Sequence, residues 1–265
     1  MTEVLALVVL IAALAYSGYV LGLRFRAQGG VGTELAERVA ERVKVPVREA
    51  FGPPRVMRTV YLNREGARLH GGPDDSQSNR SSIVAQAGIE YADIPPFAGT
   101  PSRFVAILKC VREAFAPFDV EVVDQRPVDR DYIMAMMGGK ADVLGEFGRK
   151  SHHPLGLSPY NGKPIEDAVV LVFTRTMREQ TRKVCETAGM EIGHAFGLDH
   201  ARHCRDLMTY MRPCGKKRFV DEALPCGEHE ARSCGDGSQN QNSFAMLRTL
   251  LGARPQAAAQ RASGQ

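Results

Sequence analysis

Residues 190–200 read MEIGHAFGLDH, and this stretch decides how the chain is interpreted. The pattern of apolar residues predicts a helix from about Arg178 to Phe196, ended by Gly197, which can take the left-handed conformation. Two sets of side chains are expected on opposite faces of this helix. The set that packs on the core consists of Cys185, Ala188, Gly189, Ile192 and Phe196. The set that faces away from the core consists of Thr187, Met190 and His194.

The same residues resemble HExxHxxGxxH, the zinc-binding motif of the metzincin peptidases. In that motif two histidines one helical turn apart bind zinc, a glutamate polarises water, and a glycine lets the chain bring in a third histidine. Every element is present except the first, where Met190 occupies the position of a histidine ligand. The resemblance implies that His194 and His200 are zinc ligands and that Glu191 is the general base.

A second motif follows at Met208-Thr209-Tyr210 and resembles the Met-turn of astacins and serralysins. The resemblance implies that Met208 packs beneath the metal and that Tyr210 reaches towards the metal or the oxyanion. Met190 departs from the pattern, because a thioether is a soft ligand that suits copper(I) better than zinc.

Three outcomes are open for the incomplete ligand set. His203 or the pair His152-His153 could complete the site, although each is more often a histidine without a metal. Zinc could also bind weakly through His194 and His200 alone. In the third outcome the site is inactive, Met190 fills the ligand position, and the fold serves for binding.

The surrounding elements predict an α+β fold with a mixed twisted sheet, a backing helix and the motif helix. Thr100-Pro101 begins a helix with one apolar face, formed by Phe104, Ile107, Leu108, Val111 and Phe115. Strands are predicted at 56–63, 118–124, 132–137 and 168–173, the last covered on both faces, with a polar loop at 71–82 and a short helix at 242–251. This order resembles the metzincin fold and places the peptidase-like domain at residues 55–252.

The cysteines predict disulfides and an extracytoplasmic location. The chain has six, at 110, 185, 204, 214, 226 and 234, and no CxxC pair that would indicate a cysteine-rich zinc site. Bridges from Cys204 to Cys214 and from Cys226 to Cys234 would close short loops around the Met-turn and beyond it. The metzincin resemblance then implies that Cys110 and Cys185 join the two long helices; other pairings stay open.

The N-terminal stretch Val4–Leu23 carries no charge and is long enough to cross a membrane. Residues 1–26 are interpreted as a signal peptide or signal anchor, 27–54 as a linker and 253–265 as a disordered tail. Arg24 and Arg26 would favour a cytoplasmic domain by the positive-inside rule, whereas the cysteines favour a domain outside the cytoplasm. The net charge of +4 comes without a long basic run, so nucleic acid is not an expected partner.

The sequence thus predicts a secreted or membrane-tethered zinc peptidase that hydrolyses peptide bonds, with activity that the loss of a ligand could impair. The alternative from another class is an inactive binding module on the same fold. A third reading is a membrane-anchored cytoplasmic protein in which the histidines and cysteines only pack.

Overall fold

The computed structural model of the chain describes residues 57–150 and 154–254. The predicted signal segment and linker, as well as His152 and His153, lie outside the described residues. Ala253 and Arg254 do not belong to a disordered tail as predicted, because Ala253 forms a β-bridge with Phe118 and Arg254 Nη2 donates to the carbonyl of Val120 at 2.5 Å.

A five-stranded mixed sheet forms the centre of the fold. Its strands are β1 (Thr59–Asn63), β5 (Glu121–Val123), β6 (Ile133–Met137), β7 (Gly156–Leu157) and β8 (Val169–Val172). They lie in the order β5-β1-β6-β8-β7; all neighbours are parallel except β7, which pairs with β8 in the antiparallel sense at the edge. Every residue of β8 is buried, which confirms the prediction of a strand covered on both faces.

Two long helices cover one face of this sheet, α2 (Pro101–Phe115) and α4 (Thr181–Ala195). The start of α2 is as predicted, because Thr100 accepts the amide of Arg103 and Pro101 occupies the first helical position. All five apolar residues predicted for its buried face are buried. The Cys110–Cys185 disulfide joins the two helices, with Cα atoms 6.0 Å apart.

Helix α4 begins three residues later than predicted and is buried on both faces. Arg178 and Glu179 have φ values of 52° and 49°, which no helix accommodates, so the helix starts at Thr181. Thr187 and His194 are buried, as are the residues on the opposite face. The prediction that this second face turns away from the core is therefore wrong, because Met177 before the helix contacts Thr187, and Leu198 and His200 after the helix contact His194.

The other face of the main sheet carries a smaller layer. A three-stranded sheet of β2 (Ala67–Gly71), β3 (Arg80–Ser81) and β4 (Tyr91–Ile94) packs there with the short helix α1 (Ser82–Gln86). The predicted loop at 71–82 therefore contains β3, a strand too short to show an alternating pattern. A 3₁₀ turn (Ala141–Leu144) and α3 (Gly145–Lys150) follow β6.

The chain after α4 is irregular and is linked by two disulfides, Cys204–Cys214 and Cys226–Cys234. It contains a two-stranded ribbon of β9 (Leu224–Pro225) and β10 (Asn240–Gln241) and ends in α5 (Ser243–Leu251). This helix was predicted at 242–251, and Asn242 is its N-cap. All six cysteines are paired, in the arrangement that the sequence favoured. Three disulfides indicate an extracellular or otherwise oxidising environment. Among residues 57–150 and 154–254, no helix is long and apolar enough to cross a membrane.

Candidate metal centre

Two glycines of α4 let the following chain pack directly beneath the helix. A Cβ added to Gly193 would lie 2.5 Å from Sδ of Met208, and one added to Gly189 would lie 2.6 Å from Cδ2 of Leu207. No side chain fits at either position without a shift. Met208 is fully buried under the helix and its amide is held by the Asp206 carboxylate at 2.8 Å. The Met-turn segment therefore forms the floor beneath the helix end that carries His194.

His194 and His200 meet because the helix ends at Gly197, whose φ is +91°. Their Nε2 atoms are 2.8 Å apart and their rings are nearly perpendicular, with an interplanar angle of 86°. The Nδ1 atom of His194 lies 2.7 Å from the carbonyl oxygen of Leu198, and Nδ1 of His200 lies 2.5 Å from the Glu228 carboxylate. Because both partners only accept hydrogen bonds, both Nδ1 atoms carry a proton.

The proton on Nδ1 determines whether Nε2 of the same imidazole can act as a metal ligand. Burial, and then the neighbouring His200, lower the pKa of His194, so its imidazole is neutral and Nε2 offers a lone pair. This lone pair points at Nε2 of His200. Two nitrogen lone pairs at 2.8 Å repel each other, so the pair suits a position that a cation bridges. Two imidazole nitrogens that converge in this way are ligands that suit a zinc or copper ion.

A network of charges that the sequence analysis missed holds His200 in place. The guanidinium of Arg232 donates to Glu228 at 2.7 Å and to both carboxylate oxygens of Asp199 at 2.6 and 2.8 Å. Burial raises the pKa of Asp199, but the hydrogen bonds from Arg232 outweigh it and bring the pKa to about 2. Hydrogen bonds from Arg232 likewise lower the pKa of Glu228 to about 2, against the opposing effect of burial. Both carboxylates are therefore ionised at neutral pH.

Asp199, His200 and Glu228 lie close enough together to hold a cation themselves. Arg232 already neutralises both carboxylates, and Glu228 binds His200 through Nδ1. We therefore interpret this cluster as the support of His200 and the pair of Nε2 atoms as the ligand site. A carboxylate on the far nitrogen of a metal-binding histidine fixes its tautomer and raises its basicity.

Glu191 points from α4 towards the edge strand. It is 7% exposed, and a Cβ added to Gly156 of β7 would lie 2.6 Å from its Oε1 atom. Burial raises the pKa of Glu191 to about 8. Glutamate is also a good helix former at exposed positions, and the burial of Glu191 excludes that interpretation.

Two tyrosines flank the histidine pair from opposite sides. The ring centroid of Tyr210 lies 4.4 Å from that of His200, and the ring of Tyr160 lies 5.4 Å from that of His194. Tyr210 is half exposed, and burial together with the carboxylates of Glu191 and Glu228 raises its pKa. Tyr160 belongs to no motif and was missed; burial and then the nearby Asp199 carboxylate raise its pKa.

Two further residues were predicted for the site, Met190 and His203. Met190 is half-buried and lines the same cleft as Glu191 and Tyr210. His203 accepts the amide of Arg205 through Nδ1 at 3.4 Å. Within the described residues it makes no hydrogen bond or ring contact with His194 or His200. His203 as a third ligand stays a prediction without a supporting contact.

A cleft of about 890 Å³ opens beside Glu191 and Met190. One wall is the first three turns of α4, the opposite wall is the chain from Thr209 to Cys214 with Lys217, and the rim is Pro154–Gly156 at the start of β7. The free edge of β7 and the cleft thus lie on the same side of Glu191. This arrangement suits an extended chain laid along the strand with one side chain in the cleft.

Comparisons with known proteins give no assignment. No protein-family model matches the chain, and a search of curated proteins finds no relative.

Proposed function

We propose that the chain is a secreted, zinc-dependent peptidase of the metzincin type whose metal is held by His194 and His200. The observation that carries the proposal is the convergence of two Nε2 atoms whose Nδ1 atoms are both bound to acceptors. A pair of converging histidine nitrogens beside a buried glutamate is an arrangement that suits metal-assisted hydrolysis.

The order of elements supports the same class. Apart from the small sheet and α1, which lie between β1 and α2, a strand, a long backing helix, further strands, a buried strand, the histidine helix and a buried methionine turn follow one another in the order that the metzincin fold has. The antiparallel edge strand β7 adds a place where a peptide backbone could pair. Attachment to a membrane through residues 4–23 is part of the proposal, and that segment lies outside the described residues.

A bound zinc ion would supply a Lewis acid that polarises a carbonyl and acidifies water. Glu191 would take the proton, since a nearby cation lowers a carboxylate pKa from about 8 towards the range in which the group accepts protons at neutral pH. Tyr210 would orient the carbonyl oxygen of the substrate from the other side. Pairing with β7 would hold the peptide in register.

A matched pair of variants tests the proposal. The oxidised, zinc-supplemented full chain is incubated with a mixture of unstructured peptides, and products are identified by mass spectrometry with and without a chelator. We expect Glu191→Gln to lower cleavage about 10²- to 10⁴-fold while zinc binding persists. Glu222→Gln, at an exposed position outside the site, serves as the control and leaves cleavage unchanged. Chelator-insensitive cleavage, or equal rates for Glu191→Gln and the control, would contradict the proposal.

The second candidate is a peptide-binding module without catalysis, and Met190 favours it. A thioether at the first ligand position leaves two imidazoles, where zinc peptidases have three protein ligands. The same peptide mixture distinguishes the two candidates: retention of intact peptides with no product indicates the module, and metal-dependent products indicate the enzyme.

A further inference from the structure

The two short disulfide loops after α4 differ in exposure. Cys204–Cys214 and Cys226–Cys234 span separations of 10 and 8 residues, so the two loops are similar in length. Cys226 and Cys234 are 0% and 6% exposed, whereas Cys204 and Cys214 are both partly exposed and lie beside exposed residues. A thiol in solution therefore reaches the sulfur atoms of the Cys204–Cys214 bridge more easily.

The charges around the two bridges are opposite in sign. Within four positions of Cys226 or Cys234 the chain carries one cation, Arg232, and four carboxylates, Glu222, Glu228, Glu230 and Asp236. Within four positions of Cys204 or Cys214 it carries one carboxylate, the fully buried Asp206, and six cations, Arg202, Arg205, Arg212, Lys216, Lys217 and Arg218. Four of these six cations are exposed. The Cys204–Cys214 bridge thus lies in a cationic surface and the Cys226–Cys234 bridge in an acidic one.

Cationic surroundings favour each step of thiol–disulfide exchange. A thiolate attacks one sulfur of the bridge, the S–S bond breaks, and its electron pair leaves on the other cysteine, which takes a proton from water. A second thiol attacks the mixed disulfide, so that the chain gains two electrons and two protons while the two thiols become one disulfide. Nearby cations attract an anionic thiolate and stabilise the cysteine thiolate that leaves. The carboxylates around Cys226–Cys234 oppose both effects.

The Cys204–Cys214 bridge restrains a segment that has few other bonds. Of the backbone amides at 210–216, only that of Met211 donates a hydrogen bond within the described part of the chain, to Oγ1 of Thr209 at 3.2 Å. The ring of Tyr210 nevertheless lies against that of His200. Opening the bridge should therefore free the chain from Tyr210 to Cys214.

The turn that precedes this segment has support of its own. The Asp206 carboxylate accepts the amide of Met208 at 2.8 Å and the amide of Val220 at 2.9 Å. The carbonyl of Met208 also accepts the amide of Ala201 at 3.1 Å. Met208 should therefore stay beneath α4 when the bridge opens, so the change is confined to the segment after it.

We infer that Cys204–Cys214 is a site of thiol–disulfide exchange for small anionic thiols, and that its reduction releases the chain from Tyr210 to Cys214. The other two disulfides stay closed under the same conditions. Cys226–Cys234 is buried among carboxylates, and Cys185 of the third bridge is 3% exposed between the two long helices. Exchange needs neither a metal nor peptide hydrolysis, so its outcome is independent of the proposed peptidase function.

Differential alkylation measures the opening of each bridge separately. The oxidised full chain is incubated with glutathione, and free thiols are trapped at intervals with iodoacetamide. The remaining disulfides are then reduced, trapped with isotope-labelled iodoacetamide and located by peptide mass spectrometry. We expect Cys204–Cys214 to open about 10- to 100-fold faster than Cys226–Cys234. The ratio should fall as salt rises, and it should be smaller with the uncharged thiol mercaptoethanol.

A matched pair of charge variants separates the effect of charge from that of exposure. Arg205→Gln combined with Lys216→Gln removes two exposed cations beside the bridge and should slow its opening by glutathione about tenfold, with a smaller effect on mercaptoethanol. Arg103→Gln combined with Lys140→Gln changes the net charge equally at exposed positions on α2 and after β6. This control should open as the unchanged protein does.

Chymotrypsin detects the release of the segment. Cleavage after Tyr210 should appear only in chains whose Cys204–Cys214 bridge is open. Equal opening of the three disulfides, earlier opening of Cys226–Cys234, or equal slowing by the two variant pairs would overturn the assignment of the exchange site. An open Cys204–Cys214 bridge with no cleavage after Tyr210 would overturn the release of the segment.

Discussion

Helix α4 and the irregular segment from Ala201 to Gln241 contribute to the same site in different ways. The helix positions Glu191 and His194 by its regular geometry, and Gly189 and Gly193 let it sit directly on Leu207 and Met208. The irregular segment supplies Glu228 and Arg232 from a loop held by a disulfide and ion pairs. Glu191 and His194 thus come from the regular element, while Tyr210, the support of His200 and one charged wall of the cleft come from the irregular one.

The disulfides provide the largest expected difference between the two regions. Cys110–Cys185 closes a separation of 75 residues and Cys226–Cys234 one of 8. Removing each pair by double Cys→Ala substitution should lower the free energy of unfolding by about 4.5 kcal/mol for the first and about 2.5 kcal/mol for the second, by the loop-entropy estimate. Only the second should also weaken metal binding, because it anchors Glu228 and Arg232. Urea unfolding and zinc titration measure the two effects, and equal loss of zinc affinity in both variants would be inconsistent with this division.

Restoring the missing histidine ligand at position 190 tests the contribution of helix α4 to metal binding. Met190→His places an imidazole one helical turn before His194 and should tighten zinc binding by about a hundredfold or more, since even an outer-shell partner contributes 10- to 100-fold. Peptidase activity should rise with it. Met190→Leu is the control and should leave zinc affinity unchanged, if the thioether only fills space. A large loss of affinity in Met190→Leu would instead make the thioether a ligand.

The Glu228→Gln substitution tests the contribution of the irregular segment to the same metal site. The amide can still accept from Nδ1 of His200 but no longer carries the charge that raises the basicity of the imidazole. We expect zinc affinity to fall about 10- to 100-fold with little change in the urea midpoint. Glu230→Gln, two residues away and exposed, should bind zinc as the unchanged protein does. The interpretation of Glu228 as support for His200 would be lost if the two variants behaved alike.

Lowering the pH should weaken the hydrogen-bonded network of Asp199, Glu228 and Arg232, with a smaller effect on stability than the loss of a disulfide. The folded-state pKa of Asp199 is about 2 against an ordinary value of 3.8, so its ionised form is stabilised by folding. This contribution is complete above about pH 4 and disappears as pH falls through about 2; we expect it to be about 1 kcal/mol once solvent screening is allowed for. Urea unfolding between these pH values should show a shallower acid loss for Asp199→Asn. Identical slopes for the variant and the unchanged protein would contradict the assignment.

The helices that position the site could largely be predicted from the sequence. The apolar spacing of α2, its Thr100-Pro101 start and the Gly197 stop each have a local physical cause, and all were predicted. The start of α4 was not predicted correctly, because no local sequence signal shows that Arg178 and Glu179 take positive φ. The burial of His194 on the second face was also missed, since it depends on the ring of Tyr160, far earlier in the chain, and on the path of the chain from Leu198 to His200.

The support of the site could not have been predicted residue by residue. Glu228, Arg232 and Tyr160 belong to no motif, and they reach the histidines through loops whose paths are set by disulfides and by pairing across long separations. The only available signal was the crowding of cysteines near Met208, which indicated that the segment is ordered without indicating which charges it brings to His200. Lys217 in the cleft wall was missed for the same reason.

Metal content tests the central claim most directly. The oxidised full chain, His194→Ala and His203→Ala are equilibrated with zinc, freed of excess metal by gel filtration and analysed by inductively coupled plasma mass spectrometry. We predict about one zinc per chain for the unchanged protein and for His203→Ala, and essentially none for His194→Ala. A metal-free unchanged protein, or zinc that persists in His194→Ala, would contradict a metal site built on the two facing imidazoles.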